Sequence, residues 1–245
     1  MIDENESHLA QHGCVAVASS AVVDEHLRDV GFAPLLWENV ADTDVFAGAA
    51  RDAPGRTPNS AFFAGNLSPL KVDYGLLASL AKTGVRVRVA GPRAEGGGHD
   101  SDQFRTLVDA GVEYLGTLPL ERVAEEMGSA TVGLIPYRMN EYTRGVSPLK
   151  TYEYLASGLA VVSTDLPGVS HDGVDVWRTR STDEFVARVQ RFRAAPSVEE
   201  VDRRLETALR HSWGARGRQI RAMLAEQLET LGAAPCNAEQ PEREV

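Results

Sequence analysis

Apolar positions along this chain change character near residue 60. From Ser60 onward, short apolar runs alternate with amphipathic stretches. Residues 61–65 (AFFAG), 85–92 (VRVRVAGP), 112–116 (VEYLG), 131–137 (TVGLIPY) and 159–164 (LAVVST) read as strands, with a further short one at 174–178. Between them, 72–83, 102–110, 119–130 and 147–158 carry helical spacing, with Pro119 in a first turn and Gly158 as a stop. Residues 95–102 (EGGGHDSD) read as a flexible loop, and helices follow near 182–194, 198–211 and 214–231. Strands alternating with helices of this length predict right-handed crossovers and a parallel sheet. The expected fold class is therefore α/β, a doubly wound parallel sheet over 60–195, with 196–231 packed around it.

The first 59 residues are less regular. Residues 1–12 are polar and expected to be disordered. Residues 14–20 (CVAVASS) suit a buried strand, Ser20 an N-cap for a helix over 21–30 that Gly31 ends, and 33–40 a second short strand. Residues 47–59 (AGAARDAPGRTPN) read as a linker, and 232–245 as a disordered tail.

Composition narrows the class. A chain of 245 residues has room for one domain or one and a half. The formal charge of −10 argues against general nucleic-acid binding. Cys14 and Cys236 give no disulfide framework or zinc spacing, and no metal site is expected. The acidic start and the lack of a long apolar run predict a cytoplasmic protein. Neither a dinucleotide G-x-G-x-x-G at a strand end, a phosphate-binding P-loop nor a nucleophile elbow is present. Of the basic residues only Lys71, Lys82 and Lys150 are lysines. In so arginine-biased a chain, a lysine is a candidate for chemistry that needs a compact ammonium.

Ligands of such sheets bind at the carboxyl ends of the strands. Those ends are Gly65-Asn66, Gly91-Pro92, Gly116-Thr117, Pro136-Tyr137 and Ser163-Thr164. The richest segment is 133–169, where polar residues gather before a helix. Ser147 is the expected N-cap, with Pro148 and Leu149 leading into the first turn. Lys150 in that turn opposes the helix dipole, so an anion there would explain it. Glu153 lies three residues on, on roughly the same face. Together they could hold a diphosphate and accept ribose hydroxyls; equally, they could form an ordinary i,i+3 surface pair.

The run P-x-K-x-x-E-Y-L-A-x-G-x-x-V-V-S-T resembles the donor-binding motif of GT-B glycosyltransferases of the family 4-like type. FFAGNLSPLKVDYGLLASLA is similar to the opening of their C-terminal Rossmann-like domain, and HSWGARGRQIRAML to their closing tryptophan-containing helix. Asn39, Asp42 and Phe46 resemble the hinge. The resemblance implies a nucleotide-sugar donor such as a UDP- or GDP-sugar, with no other cofactor. It implies donor-binding roles for Gly65, Asn66, Gly91, Thr117, Tyr137, Ser147, Pro148, Leu149, Lys150 and Glu153, and catalytic roles for Lys150 and Lys71. On it, 13–59 would be a remnant of the acceptor domain and its hinge, and 60–195 the donor domain. Two departures stand out. Asn66 occupies a position that is often Arg in the family, and Gly145 one where many members carry a sugar-contacting glutamate. Fewer than 50 residues precede the hinge-like segment, too few for an acceptor domain. A second chain or a homo-oligomer would then complete a glycosyltransferase. The alternatives are a non-catalytic nucleotide-sugar-binding subunit or a truncated, inactive homologue. Missing the acceptor domain would leave apolar residues such as Val15, Val17, Trp37 and Phe46 exposed. Eleven arginines against six acidic residues over 178–221 suggest peripheral contact with anionic lipid, or simply solvated helix faces.

Overall fold

The structure is a computed structural model that describes residues 2–52, 55–93, 101–170 and 172–232. In chain order the elements are α1 (Ile2–Gln11), β1 (Val17–Ala18), α2 (Ala21–Val30), β2 (Leu35–Leu36), α3 (Thr43–Asp52), β3 (Ser60–Ala64), α4 (Tyr74–Ala81) and β4 (Arg86–Ala90). Then come α5 (Ser101–Asp109), β5 (Glu113–Tyr114), α6 (Leu120–Ser129), β6 (Val132–Ile135), α7 (Glu141–Arg144), α8 (Lys150–Ala156), β7 (Ala160–Thr164) and β8 (Val176–Thr179). Three helices close the chain: α9 (Thr182–Val189), α10 (Val198–Arg210) and α11 (Trp213–Gly232).

Strands β3 to β8 form one parallel sheet in the order β5-β4-β3-β6-β7-β8. The order reverses direction between β3 and β6, which is the doubly wound arrangement and opens a crevice at that point. Its central strands are buried on both faces, and their sequences SAFFA, VGLI and AVVS are accordingly near-continuous in small and apolar residues. β1 and β2 form a separate two-stranded parallel sheet, too small to be stable by itself.

Three expectations for the first 59 residues change. Residues 2–11 are helical and held beside α2, where Glu6 contacts His26 at 2.8 Å. Residues 47–52, expected in a linker, complete α3. The small residues Ala49 and Ala50 allow close helix packing: a methyl group on Gly128 of α6 would stand 3.0 Å from the Ala49 carbonyl oxygen. Phe46 is therefore in the core, 1% exposed, while Val15 and Val17 stay exposed and Trp37 is half-buried. Ser20 does cap α2, accepting from Val23 N, and Gly31 ends it in the left-handed region at φ 109°. The expected loop at 95–102 falls largely, and the tail at 233–245 wholly, outside the described residues.

Five of the eleven arginines in 178–221 are in ion pairs. Arg178 and Arg180 approach Asp165, Arg203 and Arg204 share Asp175, and Arg210 pairs with Glu206. Burial works against the Asp175 charge, but the hydrogen bonds from Arg203 and Arg204 outweigh it and hold the carboxyl below its usual range.

Candidate functional site

The floor of the site is backbone. Gly65, just past β3, donates its N–H to Ala90 O at 2.9 Å, and Gly91, past β4, donates to Gly116 O at 2.8 Å. The strand ends thus remain stitched beyond the formal sheet. Gly91 has φ 130°, and a methyl group there would run into the Gly65 carbonyl. At Gly65 a methyl group would lie 2.8 Å from Lys150 Cε. The glycines leave the space that lets the lysine tip reach the strand end. Above this floor is a cleft of about 210 Å³ lined by Phe46, Gly65, Gly91, Pro92, Thr117, Leu118, Leu120, Val123, Lys150 and Glu153.

Helix α8 carries both charged residues into that cleft, and its placement follows from the core. The Tyr154 ring lies over Gly133 of β6, where any side chain would collide with it. Its hydroxyl donates to Leu134 O at 3.1 Å and receives Ala64 N at 3.4 Å, tying α8 to β6 and β3. At the C-terminal end of α8, Arg56 donates to Ser157 O and Arg204 to Gly158 O. Burial, and then the charge of Arg204, pushes the Arg56 guanidinium down to about 10. The start of α8 differs from expectation. The helix begins at Lys150 with Leu149 as N-cap, and no side chain caps it. Ser147 instead precedes the helix outside any regular element, and its carbonyl accepts from Asn39 Nδ2 at 2.6 Å. Gly168 packs directly on the backbone of Val146 and Ser147.

Lys150 and Glu153 are half-buried and shift one another. Burial lowers the Lys150 pKa, Glu153 opposes that, and the nearby charge of Lys71 lowers it further. Burial raises the Glu153 carboxyl, with Lys150 opposing. Lys150 and Glu153 thus sit together, half-buried, beside the glycine floor, with the charge of Lys71 close enough to act on Lys150.

Lys71 sits on the adjoining loop, with its Nζ 4.9 Å from the Tyr137 ring and 6.0 Å from that of Tyr142. Tyr137 is not in the cleft lining. It is 2% exposed, packs edge-on against Phe63, and lies under Lys71. Burial, with Tyr142 and Glu153 nearby, pushes its hydroxyl pKa up. Asn66 turns its Oδ1 back onto Ser68 N at 2.9 Å. Thr117 is exposed on the rim, Pro148 is buried and Leu149 is exposed.

One cluster was absent from the sequence reading. The Glu38 carboxylate accepts from the Tyr152 hydroxyl at 2.7 Å and from Ser170 Oγ at 2.9 Å. His211 stacks on Tyr152 with ring centres 3.8 Å apart. Arg216 donates to the carbonyls of Trp37 and Glu38. Segment 37–41 thus straps the outer side of α8. Burial lowers the His211 pKa, Glu38 opposes, and Arg216 and Arg210 add to the lowering.

A second, larger crevice of about 310 Å³ lies at the ends of β6, β7 and β8. Several of its polar groups serve the fold: Asp73 caps α4, Ser181 caps α9, Thr164 donates to Tyr137 O, Thr179 to Ser163 O, and Asp165 faces Arg178 and Arg180.

Sheet order and crevice define a class, a doubly wound α/β domain with a crevice where the strand order reverses. Comparison with known proteins agrees. The family described as Glycosyl transferases group 1 matches residues 59–194, and the chain belongs to it. It is 30% identical over 141 residues to the "Putative teichuronic acid biosynthesis glycosyltransferase TuaH" of Bacillus subtilis (strain 168), spanning 54% of this chain and 34% of that protein. The fold is similar to that of HepE from Anabaena in complex with UDP and glucose, with TM-score 0.65, 14% identity, and coverage of 86% of this chain and 62% of that one. It is also similar to AviGT4, a glycosyltransferase involved in avilamycin A biosynthesis, with TM-score 0.59, 21% identity, and coverage of 85% and 63%. The chain therefore spans about a third of its curated relative and under two thirds of these structures. Among the described residues no helix is long and apolar enough to cross a membrane.

Proposed function

We propose that this chain is the donor-binding half of a glycosyltransferase, acting on a nucleotide-sugar together with an acceptor domain from outside residues 1–245. The observation that carries this is the Lys150 ammonium pressed against the Gly65 strand end, with Lys71 and Glu153 around it. In the transfer, the bond between the sugar's anomeric carbon and the diphosphate oxygen breaks, a bond to the acceptor oxygen forms, the electron pair leaves with the diphosphate, and the acceptor hydroxyl gives its proton to a base supplied with the acceptor domain. Lys150 and Lys71 would stabilise that departing charge in a fixed, partly desolvated site. Glu153 would accept the ribose hydroxyls, and the pocket between Pro92, Thr117 and Leu118 would take the base. Complexes of similar proteins with UDP, and with UDP and GlcNAc, support a nucleoside diphosphate as the ligand class.

Two exposed apolar surfaces support a missing domain. Val17, Leu35 and Leu36 on β1 and β2 are each more than a third exposed, as are Trp213, Ile220, Leu224 and Leu228 along α11. Those α11 positions recur at helical spacing, which makes one continuous unpartnered stripe. A second chain or a second copy would cover it, and a protein of similar fold is known in the solved GtfA/B complex.

Thermal shift across nucleosides, nucleoside diphosphates and nucleotide-sugars tests the reading. Stabilisation by at least one diphosphate is expected, and a folded sample indifferent to all of them refutes it.

A further inference from the structure

Beside Lys71, a stapled loop presents one aromatic ring. Residues 136–143 run alongside 70–73 and are stapled to them. Asp73 N donates to Pro136 O, Arg138 N to Lys71 O, and Asn140 Nδ2 to Leu70 O, each at 2.8 Å. The short helix α7 that follows is closed by a reciprocal capping box: Thr143 N donates to Asn140 Oδ1 at 2.9 Å, and Asn140 N to Thr143 Oγ1 at 3.0 Å. So rigid a frame normally serves a buried side chain. Here it holds Tyr142 at 63% exposed, beside the Lys71 ammonium.

We propose that Tyr142 is a specificity-determining residue of the donor site, its ring forming the platform on which the sugar of a bound nucleotide-sugar lies. This rests on the donor-site reading above. A diphosphate held by Lys150 and Lys71 would bring its sugar within reach of the Tyr142 ring, whose centre is 6.0 Å from the Lys71 Nζ. A pyranose has an apolar face of C–H groups, which packs on an aromatic face while its hydroxyls stay in water or reach the phenol. The ligand class favoured is a hexose with such a face unencumbered. A role confined to Lys71 would instead have the ring act only by cation–π attraction.

Calorimetry on the full chain separates these. The probes are UDP, UDP-glucose, GDP and GDP-mannose, titrated into the wild type, Tyr142→Ala and Tyr142→Phe. For the pair that binds, Tyr142→Ala is expected to weaken the nucleotide-sugar about fivefold to tenfold. It should leave the diphosphate within about twofold, and Tyr142→Phe, which keeps the ring, should restore sugar binding. Equal losses for sugar and diphosphate would overturn the proposal in favour of a Lys71 support, and no loss at all would overturn it outright. In both outcomes the donor reading survives. A wild type that binds none of the four probes would sink both.

Discussion

The two crevices at the carboxyl edge of the sheet make opposite use of similar residue types. The one at β6 to β8 is larger, about 310 Å³ against 210 Å³, and has more polar side chains around it. Yet most of them serve the fold: Asp73 and Ser181 cap helices, Thr164 and Thr179 donate to backbone carbonyls, and Asp165 faces Arg178 and Arg180. The smaller cleft at β3 to β5 has a bare glycine floor and two charged residues whose ionisation is strained by burial. Volume and polarity do not by themselves make a site. Charge that the fold does not use, held where water is scarce, is the better sign.

That contrast can be broken in four places. The largest effect is expected from Gly91→Ala. The new methyl group meets backbone, the Gly65 carbonyl, at a φ of 130°, so nothing flexible can yield. A loss of about 3 kcal/mol or more by denaturant titration is expected, and the cleft with it. Gly65→Ala is the milder partner. Its methyl group meets the flexible end of Lys150, so stability should fall by only about 1–2 kcal/mol. Diphosphate affinity should fall about tenfold as the lysine is displaced. If both variants lost stability equally, the account of the glycine floor would be wrong.

Proton linkage comes next. The Lys150 pKa is lowered, so its charge is lost at a lower pH than for a free lysine as pH rises. The Glu153 pKa is raised, so its carboxylate is lost at a higher pH than usual as pH falls. Diphosphate and ribose binding should therefore show a bell-shaped pH profile with both flanks moved inward. A flat profile across the intervening range and normal flanks would contradict the burial of either group. The smallest effect is reserved for the other crevice. Arg180→Ala removes an 85%-exposed side chain from its rim, and should change nucleotide affinity by less than about twofold.

Much of the sheet was legible because parallel strands buried on both faces write themselves as apolar runs, as SAFFA and AVVS do. Lys150 and Glu153 could be singled out because three residues of separation put them on one helical face. Long-range contacts were not legible. The strap of Glu38 on Tyr152 joins positions 114 apart in the chain, and no local pattern announces it. The small residues of 47–52 read as a linker because the groove they fill, against Gly128 of α6, belongs to another part of the chain. Ser147 failed as a cap for a similar reason: its backbone is engaged by distant residues, packed on by Gly168 and bound at its carbonyl by Asn39. Tyr137 was correctly placed at a strand end, but the alternation that identifies an end does not say which side the ring takes.

The central claim is that Lys150 is the diphosphate-binding cation of a nucleotide cleft. Calorimetric titration of a nucleoside and its diphosphate into the wild type and Lys150→Ala tests it most directly. The account predicts that the substitution weakens the diphosphate by about tenfold or more, while the nucleoside changes by less than about twofold. Equal losses for the two ligands, or an unchanged diphosphate affinity in a folded variant, would contradict it.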